Sequence, residues 1–177
     1  MDATNLAELY GTPLVDWAQV EGRLSRGLSQ APGSAGPGRH TCWLATSNAD
    51  GTPHLTGIGA LWTSRTFWFE TGTTTRKGRN LARDPRCSLS VATDETDLVV
   101  DGTATRVDDP ALVAELAGLW AADGWPARVD ATGTGADGGV QRSLGGAATV
   151  ARPPHRGPAG HGAAHRRPRR GHPRWRF

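Results

Sequence analysis

Cysteine is scarce in this chain: two residues, Cys42 and Cys87, among 177. That is too few for a disulfide framework and has no metal-ligand spacing, and it suits a reducing compartment, so a cytoplasmic location is expected. No apolar run approaches the roughly eighteen residues of a membrane span, and no membrane partner is expected. The opening "MDATNLAELYG" has no basic region followed by an apolar stretch, so no secretory leader is expected. No Ser-His-Asp arrangement and no cluster of metal ligands stands out, so neither a catalytic triad nor a metal is expected.

Acid is missing from one part of the chain. From Arg152 to Phe177 there are eight arginines and no Asp or Glu, which leaves 12 bases against 17 acids before it. The body is therefore acidic and only the tail is basic. A nucleic-acid protein carries its positive field on a folded face, so no nucleic-acid partner is expected.

Glycine (24) and proline (12) are abundant, about a fifth of the chain together. They punctuate three regions. Residues 1–38 read as a helical leader and a loop, with Val15, Ala18 and Leu24 at helical spacing. Residues 39–130 carry the strand signals: the run around Trp43 and Leu44, the turn pair Asp50-Gly51, and a second run from His54 to Trp62. "RTFWFET", "RCSLSVATD" and "DLVVDGTATRV" follow, and "DDPALVAELAGLW" has cap, first-turn proline and apolar face of a helix. Residues 131–177 lose all periodicity and read as a Gly/Pro/Arg/His-rich disordered tail. Short antiparallel strands without crossover helices favour a barrel or twisted sheet over a doubly wound fold.

The stretch "TTTRKGRNLARDPR", Thr73 to Arg86, concentrates the chemistry. A helix beginning near Thr75 directs free backbone N–H groups toward the preceding turn, where an anion gains those donors and the helix-end field. Arg76 offers a planar fork and Lys77 a mobile point charge, together matched to a phosphate monoester. Asn80 and Leu81 are expected to anchor the helix, and Arg83 to Arg86 to form its exit. The alternative is an ordinary solvated helix. His54 can donate to a ligand, serve as an acid or base, or be structural, with Thr56 on the same face of its strand and Gly57 on the other.

"CWLATSNADGTPHLTGIGALW", "FWFETGTTTRKGRNLARDPRCSLSV" and "DLVVDGTATRVDDP" together resemble the pyridoxamine 5'-phosphate oxidase-like family. The resemblance implies a mainly β fold, an antiparallel split β-barrel with short flanking helices. It further implies a homodimer that binds FMN, or alternatively the deazaflavin F420, and moves a hydride to or from a small organic substrate. Such a protein is a flavoprotein oxidoreductase; a non-catalytic module holding flavin, F420 or haem is the alternative, as is the impaired product of a damaged gene. By resemblance, His54, Thr56 and Gly57 border the ring system and Thr71 lies near the phosphate. Thr75, Arg76 and Lys77 hold that phosphate, and Trp175 and Arg176 close over the site. Glu70 departs from the family's aromatic, and strand alternation is expected to turn it away from Thr71.

The C-terminal segment departs further. Ala136 to Pro153 can be written in codons whose reading one base on spells the family-like "LTAEFNAPSAGPPPWHV". The segment from about Gly135 is therefore expected to be frame-shifted relative to relatives, with the frame restored near Pro173. The implied consequence is a barrel short of its last strand or two.

Overall fold

The structure, a computed structural model, describes residues 2–28, 41–93, 95–125, 129 and 140–151. In chain order it contains β1 (Asp2–Asn5), a 3-10 helix (Leu6–Tyr10), α1 (Trp17–Ser25), β2 (Cys42–Ser47), β3 (Pro53–Ile58), β4 (Ala60–Thr63) and β5 (Thr66–Glu70). Then come α2 (Arg76–Arg83), β6 (Arg86–Ala92), β7 (Asp97–Arg106), α3 (Pro110–Ala122) and β8 (Val140–Ala151). The strands form one sheet in the order β3-β2-β6-β7-β8-β5-β4, antiparallel throughout that path. β1 lies off the path and pairs in parallel with β8.

The sheet is open, which corrects the expected closed split barrel. Its two end strands, β3 and β4, are joined only by Gly59, and no ladder connects them among the described residues. An antiparallel ladder between sequential strands needs a reversing turn of at least about two residues. A single intervening glycine carries the chain onward instead, so each end strand keeps one unpaired edge. The fold is also mixed rather than mainly β, because helices cover both faces of the β4–β5 hairpin. Phe67 and Phe69 face one cluster with Leu24, Leu44 and Leu89, while Leu61 and Trp68 face a second with Val113, Leu116 and Trp120 of α3. A strand buried on both faces reads as continuous apolar sequence, which is what "TFWF" is.

α1 starts where Asp16 accepts a hydrogen bond from the Ala18 N–H, and it buries Val20 and Leu24 in the first cluster. Three ion pairs fasten it and its cap to turns of the sheet: Arg23 and the C-cap Arg26 to Glu95 at 3.4 and 2.9 Å, between β6 and β7, and Glu21 to Arg65 at 2.8 Å, between β4 and β5. α3 starts at the Asp109 cap with proline in its first turn. Trp125, just past it, lies against the bend between β3 and β4, where a Cβ on Gly59 would stand 3.0 Å from the indole.

Residues 140–151 lie inside the segment read as a tail, and there they form β8. This strand pairs with β7 on one side along Gln141–Ala151, and on the other with β5 at its start and β1 at its end. The departure from family pattern therefore does not leave the sheet without a strand at this place. Main-chain groups on β5 and β7 recruit the segment, and main-chain pairing does not require alternating apolar side chains.

Candidate phosphate-binding site at the start of helix α2

β5 ends at Glu70, and the chain turns through Thr71–Thr75 into α2. Thr75 is the N-cap, with extended backbone. Its hydroxyl donates to the Gly72 carbonyl at 2.7 Å and accepts from the Gly78 N–H at 3.1 Å. Thr71 Oγ1 stands 2.9 Å away. Because the single Thr75 proton is spent on Gly72, Thr71 is the donor of that pair. The Thr75 hydroxyl is thereby saturated within the protein, and it shapes the turn rather than facing outward.

Two backbone donors stay open. The Gly78 N–H goes to the cap and the Arg79 N–H to the Thr75 carbonyl, but the N–H groups of Arg76 and Lys77 find no partner among the described residues. Their side chains make no ion pair there either, with Arg76 exposed and Lys77 half-buried. The other basic residues of the stretch are engaged. Arg79 donates to the Thr74 carbonyl, and Arg83 to the Ser47 carbonyl. Arg86 is paired with Asp84 at 2.8 Å, which holds the Asp84 carboxyl down to about 2. The stretch thus divides into two unpaired cations at its start and engaged ones after them. Glu70 alternates with buried Phe69 and Thr71, which puts its side chain on the opposite face of the chain from Thr71.

Helix α2 is held down by Asn80, 4% exposed, whose Nδ2 donates to Thr46 Oγ1 and to Asn48 Oδ1, each at 3.1 Å. Thr46 is the cross-strand partner of His54, and Leu44 that of Thr56. Directly opposed residues share a face, so half-buried His54 and Thr56 lie on the side of the sheet toward which α2 packs. Gly57 is opposite Trp43 on the outer face, with the indole 3.9 Å from where its Cβ would be. Trp175 and Arg176 lie outside the described residues.

Several contributors escape a reading of sequence alone: Gly72 and Gly78 at the turn, and Thr46 and Asn48 beneath the helix. A glycine inside a short helix, where it costs about 1 kcal/mol relative to alanine, is the one signal that pointed to them.

A cavity of about 670 Å³ lies elsewhere, lined by Ser47, Pro53, Arg86, Ser88, Asp101 and Thr103 among others, with none of Thr71, Thr75, Arg76 or Lys77 in its wall. Among the described residues no group of three or more His, Cys, Asp or Glu can hold a metal ion. No helix there is long and apolar enough to cross a membrane.

The family model described as pyridoxamine 5'-phosphate oxidase matches residues 36–136, more than half of the chain. The chain belongs to that family. The match spans β2 to α3 and includes the whole α2 turn. Among solved structures, a conserved hypothetical protein from Mycobacterium tuberculosis is similar, with a TM-score of 0.57 at 20% identity, covering 83% of this chain and 94% of that one. General stress protein 26 from Bacillus anthracis has a TM-score of 0.53 at 12% identity, covering 75% and 93%. At these identities the likeness establishes a shared fold. No curated protein matches the chain. The turn at the start of α2, which lies within the matched residues, combines two open N–H groups with the unpaired cations of Arg76 and Lys77.

Proposed function

We propose that this chain is a binding module for a flavin-type cofactor ending in a phosphate, FMN or alternatively F420. The observation that carries it is the start of α2, where two open backbone N–H groups and the unpaired Arg76 and Lys77 coincide. The helix-end field, the fork of Arg76 and the point charge of Lys77 act on the same anion. Thr71 and Thr75 hold the turn in the shape that exposes those donors. His54 and Thr56 border the ring system from the face of β3 toward α2, and Gly57, whose Cα turns to the outer face, borders it through its main chain. The bound cofactor would supply redox chemistry; the residues of this chain supply position and charge, and none is assigned the role of acid or base.

A second reading is that the module turns over, passing a hydride between FMN or F420 and a small organic substrate. The family description, an oxidase, favours it. In either case the protein acts as a homodimer. Trp43 and Leu55, 46% and 62% exposed on the outer face of the β2–β3 pair, are apolar surface for a second copy to cover.

The test is a titration of the purified protein with FMN and with F420, followed by absorption and by fluorescence quenching. Saturable binding of either one, weakened by Arg76→Ala with Lys77→Ala, supports the module. Steady reoxidation of the reduced cofactor by an added acceptor supports the second reading. Failure to bind both cofactors overturns the proposal.

A further inference from the structure

α2 and β3 carry the two halves of the proposed site, one for phosphate and one for the ring, and they are not neighbours in the sheet. What connects them is a chain of hydrogen bonds running through one buried amide. Arg83 Nη1 donates to Asn80 Oδ1 at 3.4 Å, and Asn80 Nδ2 donates to Thr46 Oγ1 and Asn48 Oδ1. Asn48 Nδ2 in turn donates to Thr52 Oγ1 at 3.0 Å, its backbone N–H to the Thr52 carbonyl at 2.8 Å, and Thr52 Oγ1 donates to Asp50 Oδ1 at 2.6 Å. Arg83 also grips the Ser47 carbonyl between them. One turn of α2 thereby holds three successive residues at the end of β2, and the last of them sets the turn into Pro53, the first residue of β3.

Each hydrogen-bonding atom of the Asn80 side chain is used. A buried amide with both donors and its acceptor paired has one orientation, because any rotation leaves a buried polar group unsatisfied. We propose that Asn80 is a positioning residue: it fixes the spacing between the start of α2 and the strand bearing His54, Thr56 and Gly57, and so selects ligands that carry both a phosphate and a ring. This rests on the reading that both elements serve one ligand. Asn80 itself touches no ligand in this arrangement. Its effect is confined to ligands long enough to span the two halves, and inorganic phosphate, which meets only the start of α2, is indifferent to it.

The experiment compares wild type with Asn80→Ala for two probes, FMN by fluorescence titration and inorganic phosphate by phosphorus NMR. Both are measured well below the unfolding temperature of either protein. The expected result is a loss of about tenfold or more in FMN affinity with phosphate affinity kept within about twofold. Parallel losses for the two probes, or no loss for FMN, overturn the assignment. Should Asn80→Ala lose its circular dichroism signature of folding, Asn48→Ala breaks the same chain at a half-buried residue, and absence of the split there overturns the assignment equally. Wild type that binds phosphate but not FMN overturns the reading of a shared site, and the positioning role with it. Wild type that binds FMN, together with variants that bind it equally well, overturns the positioning role alone.

Discussion

A side chain on Gly78 would meet the backbone of Gly72: a Cβ there would stand 2.2 Å from the Gly72 carbonyl oxygen. The start of α2 therefore rests directly on the end of the preceding strand, closer than any other residue type permits. Gly78→Ala gains about 1 kcal/mol of helix propensity but forces a backbone contact apart, at a cost of about 1–3 kcal/mol. The expected outcome is a net loss of stability in urea unfolding, with FMN affinity falling as the Arg76 and Lys77 N–H groups shift. A stabilised Gly78→Ala protein would show that the close contact yields freely.

Arg76 and Arg86 provide a matched pair of substitutions. Arg76 has no partner among the described residues, whereas Arg86 is held by Asp84. Arg76→Ala is expected to weaken FMN binding by about tenfold, a charge-assisted contact of ordinary strength, and to leave riboflavin binding unchanged. Arg86→Ala is expected to change neither. Equal losses from both substitutions would mean that the field of the whole helix, rather than a local contact, binds the phosphate.

The β4–β5 hairpin is built on Ser64 and Arg65, both with positive φ, at 52° and 57°. Such two-residue turns are most easily made by Asn-Gly, since other residues crowd their own backbone in that conformation. Ser64→Asn with Arg65→Gly is expected to stabilise the protein by about 1–2 kcal/mol in urea unfolding, after allowing for the exposed pair to Glu21, worth about 0–1 kcal/mol. An unchanged or lowered midpoint would locate that pair as the stronger effect.

Burial pushes the Cys42 thiol from 9.0 up to about 12. The folded protein thus disfavours the thiolate, so the contribution of this group is complete below about pH 9 and is lost progressively as pH rises toward 12. Wild type is expected to lose thermal stability above about pH 9 more steeply than Cys42→Ala, and Cys42 to resist alkylation until the protein unfolds. Rapid alkylation in native buffer would contradict the burial.

Where local chemistry decides, the sequence was readable. The capped start of α2 at Thr75, the cap and proline of α3, and the doubly buried β5 all follow from neighbours within a few residues. Asn80 as an anchor was legible too, from its place beside Leu81 on α2, whereas the partners that satisfy its buried amide, Thr46 and Asn48, were not. The run from His54 to Trp62 read as one strand, yet it divides at Gly59, against which Trp125, distant in sequence, packs too closely for a side chain there. β8 left no trace in its own side-chain pattern: its place is dictated by unpaired main chain on β5 and β7. The expected barrel failed for the same reason that β3 and β4 divide, a one-residue link that cannot reverse the chain.

The position of β8 also orders events during synthesis. β5 and β7 emerge early, but the strand that separates them, and that receives β1 through pairs such as Asp2 with Ala147, is made almost last among the described residues. Until then β1, β5 and β7 lack their β8 partner, and pairings across most of the chain must wait for loop closures that are slow to find. The nascent chain is therefore expected to be most prone to self-association just before residue 151 leaves the ribosome, and a short translational pause after α3 would lengthen that window.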